Sequence, residues 1–351
     1  MDWSVRAIPA AGGPEPVGIR RLTLTDESRP DPVESEQPRT FDVLLWYPAR
    51  EEGEPSPHMG RRMLAGLQDE GYYGQTTETF EAWGSLNTES VQGAAPREGK
   101  MGVVLLSHGL GMATVHYSAI AQELASHGFA VIAPEHPYGG FGLRPDDGVH
   151  STAGDALLAT EPGFDQRAGE WAEDLVFLLD AVPKAWPELR LDLEGVVALG
   201  HSMGGVAAVD AAARDERIVG AINMDGAPMA RTEATGLRAP TLVLKSLPAM
   251  EEPELAPGDP ILSIWRSLAE RGGAACTYAG VFGSGHTSFS DAPFLLPDTL
   301  TRFGTQLAPR EELHAVVSGL LLAFVRHVRS ESEAPFAFTS SANVVTVPIG
   351  I

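Results

Sequence analysis

Residues 200–204 read Gly-His-Ser-Met-Gly. An apolar run, VVALG (196–200), leads straight into the serine, and a small-residue run, MGGVAAVDAAA (203–213), leaves it. That is the pattern of a nucleophile held on a sharp strand-to-helix turn, where side chains on the neighbours would collide. The chemistry it suits is acyl transfer to the Ser202 hydroxyl. The turn also places Ser202 at a helix N-terminus, where backbone N–H groups favour negative charge. The bland alternative is a serine that only caps the helix.

A serine hydroxyl is a weak nucleophile near neutral pH. It needs a base within hydrogen-bond reach and a group that orients the base. His286, in the Gly/Ser-rich loop VFGSGHTSFSD (281–291), directly follows the strand pattern AACTYAGVF (274–282) and is the expected base. His116, His127, His314 and His327 lie on or beside helical patterns and read as packing or surface residues. His201 adjoins the serine, so its side chain points away, and His58 and His150 lie in loops. Two places compete for the acid. Asp225 ends the run VGAINMD (219–225), whereas Glu251, Glu252 and Glu254 follow the next run, APTLVLKS (239–246). Asp225 suits the orienting role better because it lies at its strand's end. For the oxyanion, the N–H groups of Leu110, in Ser107-His108-Gly109-Leu110-Gly111, and of Met203 are the expected donors. Loss of one such donor typically costs about 3 kcal/mol of transition-state stabilisation.

These residues need a scaffold that brings them to one edge. From residue 101 the sequence alternates strand and helix patterns. MGVVLLSHG (101–109), FAVIAPEHP (129–137), GVVALG (195–200), VGAINMD, APTLVLKS and AACTYAGVF are apolar runs typical of strands buried on both faces. Helical patterns lie between them. The longest is FDQRAGEWAEDLVFLLDAVPKAW (164–186), in which Ala168, Trp171, Leu175, Leu178 and Leu179 could share a face. Such alternation predicts an α/β fold with a mostly parallel central sheet and helices on both faces. VGIRRLTLT (17–25) and TFDVLLWYPA (40–49) predict two N-terminal antiparallel strands. Residues 51–99 lack a clear period and read as a surface loop with short helices. Residues 100–330 form the expected core of one domain spanning 1–351. The connections 137–163 and 284–308 are expected at the carboxyl edge of the sheet, where sites form in such folds. The tail, 331–351, reads as an extra strand or a loose end.

Composition narrows the partners. A net charge of −22 over 351 residues argues against electrostatic binding of nucleic acid or anionic membrane. With Cys276 the only cysteine, neither an intramolecular disulfide nor a cysteine-based metal site is possible, and Cys276 reads as a buried strand thiol. No metal-ligand spacing and no need for a cofactor are evident. The first residues lack a signal-peptide pattern, and no run approaches a membrane span, so a cytoplasmic protein without a membrane anchor is expected.

Taken together, LLSHGLG (105–111), YSAIAQELASHGFAVIAPEH (117–136), VVALGHSMGG (196–205), INMDGAP (222–228) and GHTSFSD (285–291) resemble the α/β-hydrolase fold. More narrowly, they resemble the platelet-activating factor acetylhydrolases of the plasma and type II intracellular kind and their bacterial relatives. The resemblance covers roughly residues 100–330, with a weaker match at 41–49. It implies Ser202 as nucleophile, Asp225 as acid and His286 as base, with Leu110 and Met203 as oxyanion donors. The 23 positions between Ser202 and Asp225 match the family's spacing. Gly226-Ala227-Pro228 stand where the family has aromatic, apolar residues. The implied activity is cofactor-free hydrolysis of small esters with short or truncated acyl chains. A broader lipase or polyester hydrolase, and a non-catalytic binding protein on the same fold, are the alternatives.

Overall fold

Chain order begins with a long antiparallel pair, β1 (Val17–Pro30) and β2 (Pro38–Pro48), in which Val17 faces Pro48 and Leu24 faces Phe41. The computed structural model describes residues 7–32, 34–69, 75–140, 161–228, 230–247, 260–296, 308–330, 336–338 and 344–349. After β2 come β3 (Pro55–Pro57), α1 (Arg61–Asp69), α2 (Thr77–Gly84) and β4 (Asn87–Gln92). The short helices expected in 51–99 are there, but the segment is not draped on the surface. Met63, Leu67, Phe80 and Trp83 are buried in the main core, and β3 and β4 extend the sheet. The indole N–H of Trp83 donates to the Leu295 carbonyl at 2.8 Å, tying this segment to the far end of the chain.

The alternating part follows as β5 (Met101–Ser107), α3 (Ser118–Ser126), β6 (Phe129–Pro134), α4 (Glu161–Ala185), β7 (Leu191–His201), α5 (Met203–Arg214), β8 (Ile218–Met224) and α6 (Ala230–Thr235). It closes with β9 (Thr241–Leu247), α7 (Pro260–Gly272), β10 (Cys276–Phe282), α8 (Ala292–Leu295), α9 (Arg310–Arg329) and β11 (Val344–Ile349). The described strands form one sheet in the order β11-β10-β9-β8-β7-β5-β6-β2-β1-β4-β3. The pairs from β6 through β10 are parallel. In the tail, β11 adds an antiparallel edge strand beside β10. Residues 141–160 and 297–307 of the two long connections, and Glu251, Glu252 and Glu254, lie outside the described residues.

Strand pleating explains the layers. Val103 and Leu105 point into the core under α4 and α5; Val104 and Leu106 point into the opposite core with α3 and α9. Each such side chain, fully buried, contributes about 1.5–3 kcal/mol. In α4, Ala168, Trp171, Leu175, Leu178 and Leu179 are all buried, as their spacing predicts. Cys276 is buried in β10, where burial pushes its thiol up to about 12.

Parallel register then aligns the strand ends. Ser107 pairs with Gly200, Gly200 with Asn223, Asn223 with Val243, and Val243 with Tyr278. Residues just beyond this row emerge together at the carboxyl edge, where α/β sheets place their sites.

Candidate active site

Ser202 occupies the turn between β7 and α5 with φ 54° and ψ −122°, a backbone conformation that costs free energy for a residue with a side chain. Close packing enforces it. A Cβ on Gly200 would lie 2.0 Å from the Gly204 carbonyl oxygen, and one on Gly204 would lie 2.4 Å from that of Ser107. Only glycine fits either position. The Ser202 side chain makes no capping hydrogen bond to α5, which removes the bland alternative. Its N–H donates to the Met224 carbonyl at 2.8 Å, stitching the turn to the end of β8.

Asp225 is the next residue of that strand end, with φ 58°. Its carboxylate is almost sealed, with the side chain 3% exposed. Four donors reach it: His286 Nδ1 at 2.7 Å, Lys245 Nζ at 2.6 Å, Ser246 Oγ at 2.7 Å and Ser246 N–H at 3.1 Å. Burial would push this carboxyl up, but His286, Lys245 and Ser246 together hold it well below the usual carboxylate range. The partner chemistry fixes the imidazole. Nδ1 must carry the proton it gives to the carboxylate, which leaves Nε2 of His286 as the basic nitrogen.

His286 is brought to the serine's turn through His201. The His201 ring lies 4.6 Å from that of His286, and its Nε2–H donates to the His286 carbonyl at 2.8 Å. Because that carbonyl can only accept, Nδ1 of His201 is the acceptor, and it takes the Tyr117 hydroxyl proton at 2.7 Å. The same hydroxyl oxygen accepts the Gly109 N–H at 2.9 Å. Burial, with His286 nearby, lowers His201 to about 3 and keeps it neutral. His201 thus ties the base's loop to the loop after β5.

That loop holds Leu110. His108 takes the His136 N–H on Nε2 at 3.1 Å, so its Nδ1–H donates to the Gly109 carbonyl at 2.9 Å. Gly109 C=O and Leu110 N–H belong to one peptide plane and point in opposite directions. Fixing the carbonyl therefore aims the N–H. Among the described residues, neither Leu110 N–H nor Met203 N–H has a protein acceptor.

Every expected site residue thus stands at the same carboxyl edge: Ser202 and Met203 after β7, Asp225 after β8, His286 after β10 and Leu110 after β5. Lys245, Ser246, Tyr117 and His201 are further contributors. KS at 245–246 is visible in the sequence, but its role depends on the β8–β9 register. The other histidines separate as expected. His116 is buried, its Nδ1 accepting the Ala113 N–H, and His58 is paired with Asp291 at 3.1 Å. His150 lies outside the described residues. Among the described residues, no cluster of His, Cys, Asp or Glu could hold a metal ion, and no helix is long and apolar enough to cross a membrane.

Comparison with known proteins gives the chain's relatives. The family model for platelet-activating factor acetylhydrolase, isoform II, matches residues 4–138, and that for serine aminopeptidase, S33, matches residues 99–266. A ferulic acid esterase from Streptomyces cinnamoneus superposes with a TM-score of 0.80 at 26% identity, covering 97% of this chain and 99% of that one. The chain has the α/β-hydrolase fold, and its first 138 residues are similar to the platelet-activating factor acetylhydrolase, isoform II, family. Among curated relatives of this α/β-hydrolase, a probable 1-alkyl-2-acetylglycerophosphocholine esterase of Arthroderma benhamiae is 32% identical over 38% of the chain. The platelet-activating factor acetylhydrolase of Canis lupus familiaris is 28% identical over 45% of it. These two matches span 34% and 42% of the relatives' own lengths.

Proposed function

We propose that the protein is a serine-dependent carboxylic ester hydrolase that works through an acyl-enzyme. The observation that carries the reading is the 2.7 Å His286–Asp225 bond beside a serine at φ 54°. Nε2 of His286 removes the Ser202 proton as Oγ attacks the ester carbonyl. The tetrahedral oxyanion is received by the N–H groups of Leu110 and Met203. His286 then gives its proton to the leaving alcohol. Water, activated by the same imidazole, releases the acid and frees Ser202. Asp225 keeps the imidazole in the required tautomer and offsets its positive charge while it is protonated.

Short or truncated acyl chains are the proposed substrates, in keeping with the acetyl esters named for the curated relatives. The full-length likeness to a ferulic acid esterase favours a second reading, esters of aromatic acids. A panel of p-nitrophenyl esters from acetate to palmitate, with methyl ferulate and an insoluble polyester, separates them. Turnover peaking at acetate to butyrate supports the first reading. A preference for ferulate supports the second, and a preference for palmitate or polyester points to a lipase or polyester hydrolase. Ser202→Ala should abolish turnover of every member. Retained activity would remove Ser202 from the mechanism, and no turnover by the unaltered protein would favour a binding role.

A further inference from the structure

A second Ser–His–Asp set lies behind the first. The Ser107 hydroxyl and His136 Nε2 are 2.8 Å apart, and His136 Nδ1 is 2.8 Å from Asp174 Oδ2. Its members come from the ends of β5 and β6 and from the middle of α4. Unlike the Ser202 site, it is sealed: Ser107 and Asp174 are 0% exposed and His136 1%. Its acid is also differently supported. Arg39 Nε and Arg29 Nη2 reach Asp174 Oδ1 at 2.6 and 2.9 Å, while Arg39 Nη2 reaches Oδ2 at 2.6 Å. Burial pushes this carboxyl up, but Arg39 and His136 bring it well below the carboxylate range. The His136 ring stacks on Trp171 at 4.2 Å, with 3° between the planes.

We propose that Ser107, His136 and Asp174 form a positioning relay for the oxyanion loop rather than a second nucleophilic centre. The chain of contacts is continuous. Asp174, an anion fixed by two guanidinium groups, accepts the proton on His136 Nδ1, so His136 Nε2 accepts the Ser107 hydroxyl proton. That bond pins the last residue of β5 to the residues following β6. From there, the His136 N–H holds the His108 ring, and the His108 ring holds the Gly109 carbonyl. The far side of that peptide is the Leu110 N–H. Ser107 also sets the gap to the elbow, because its carbonyl abuts Gly204. Both oxyanion donors therefore take their positions partly from Ser107. A shift of about 1 Å in such a group can cost a factor of 10² in rate.

This inference rests on the esterase reading, and the test separates the two. Ser107→Ala is compared with the unaltered protein on its best p-nitrophenyl ester and with a boronic acid as transition-state mimic. The relay predicts that kcat falls roughly 10- to 100-fold while KM stays within about two-fold. Boronic acid affinity should fall with kcat, a pattern that general loosening of the fold would not produce. Imidazole ¹⁵N NMR of the unaltered protein gives a second measurement, independent of how Ser107→Ala folds. It should show His136 protonated on Nδ1 and bare on Nε2. A folded Ser107→Ala with unchanged kcat and boronic acid affinity would overturn the relay alone, as would a proton on His136 Nε2. Absence of ester turnover by the unaltered protein would overturn the esterase reading and the relay with it.

Discussion

Four hydrogen-bond donors converge on Asp225, and three of them come from the strand end at which many hydrolases of this architecture carry the acid itself. Lys245 and Ser246 occupy that position here, and both hold the carboxylate one strand away. Asp225→Asn should lower kcat about 10⁴-fold by removing the acceptor that fixes the His286 tautomer. Glu251→Gln, Glu252→Gln and Glu254→Gln should each keep the unaltered rate, and steady-state kinetics on one ester distinguishes the four. Glu135 makes a separate residue-level test. Burial raises its carboxyl from 4.5 to about 7, against hydrogen bonds from Thr114, whose N–H lies 3.2 and 3.3 Å from the two carboxyl oxygens. Between those pH values the native state binds more protons than the unfolded chain, so this residue's contribution to stability is lost as pH rises. Glu135→Gln should therefore stabilise the protein at pH 8, by about 3 kcal/mol, and change little at pH 4. Thermal melts at the two pH values check this. Ser202 and Asp225 stand out in the sequence because each directly follows a recognisable strand, and His286 because it lies in the Gly/Ser-rich loop after one. Ser107, His136 and Asp174 do not, since nothing in their local patterns shows that three distant positions meet.

At the scale of elements, the site depends on how closely α5 approaches the sheet. Gly204→Ala would drive a methyl group against the carbonyls of Ser107 and His108, at 2.4 and 2.3 Å. Backbone cannot yield as a flexible side chain can. The variant should lose about 1–3 kcal/mol of stability, measured by urea denaturation, and most of its esterase activity. The alternating strands and helices after residue 100 were legible because parallel strands buried on both faces read as unbroken apolar runs. β4 was not, for the opposite reason. Its inward positions are Thr88 and Ser90, buried at 4% and 0% but polar, with Thr88 bonded to the Ser56 carbonyl and Ser90 to Gln122. An alternation of polar with polar leaves no hydropathy signal, although the strand pairs with β1 and β3.

Across the whole molecule, the net charge of −22 opposes adsorption to anionic lipid, which fits small dispersed esters better than a lipid interface. Four separate strand ends supply the site, so it exists only when the central sheet is assembled. The fold class followed from the order of elements, whereas substrate choice depends on connections whose sequences carry no period. The central claim is that, of all the serines in the chain, the assembled sheet makes Ser202 the reactive one. Incubation with a fluorophosphonate, followed by mass spectrometry of the intact chain and its peptides, tests this most directly. One adduct per chain on the peptide carrying Ser202, absent from Ser202→Ala and slowed in His286→Ala, is the predicted result. An unmodified chain, or an adduct on another serine that persists in Ser202→Ala, would contradict it.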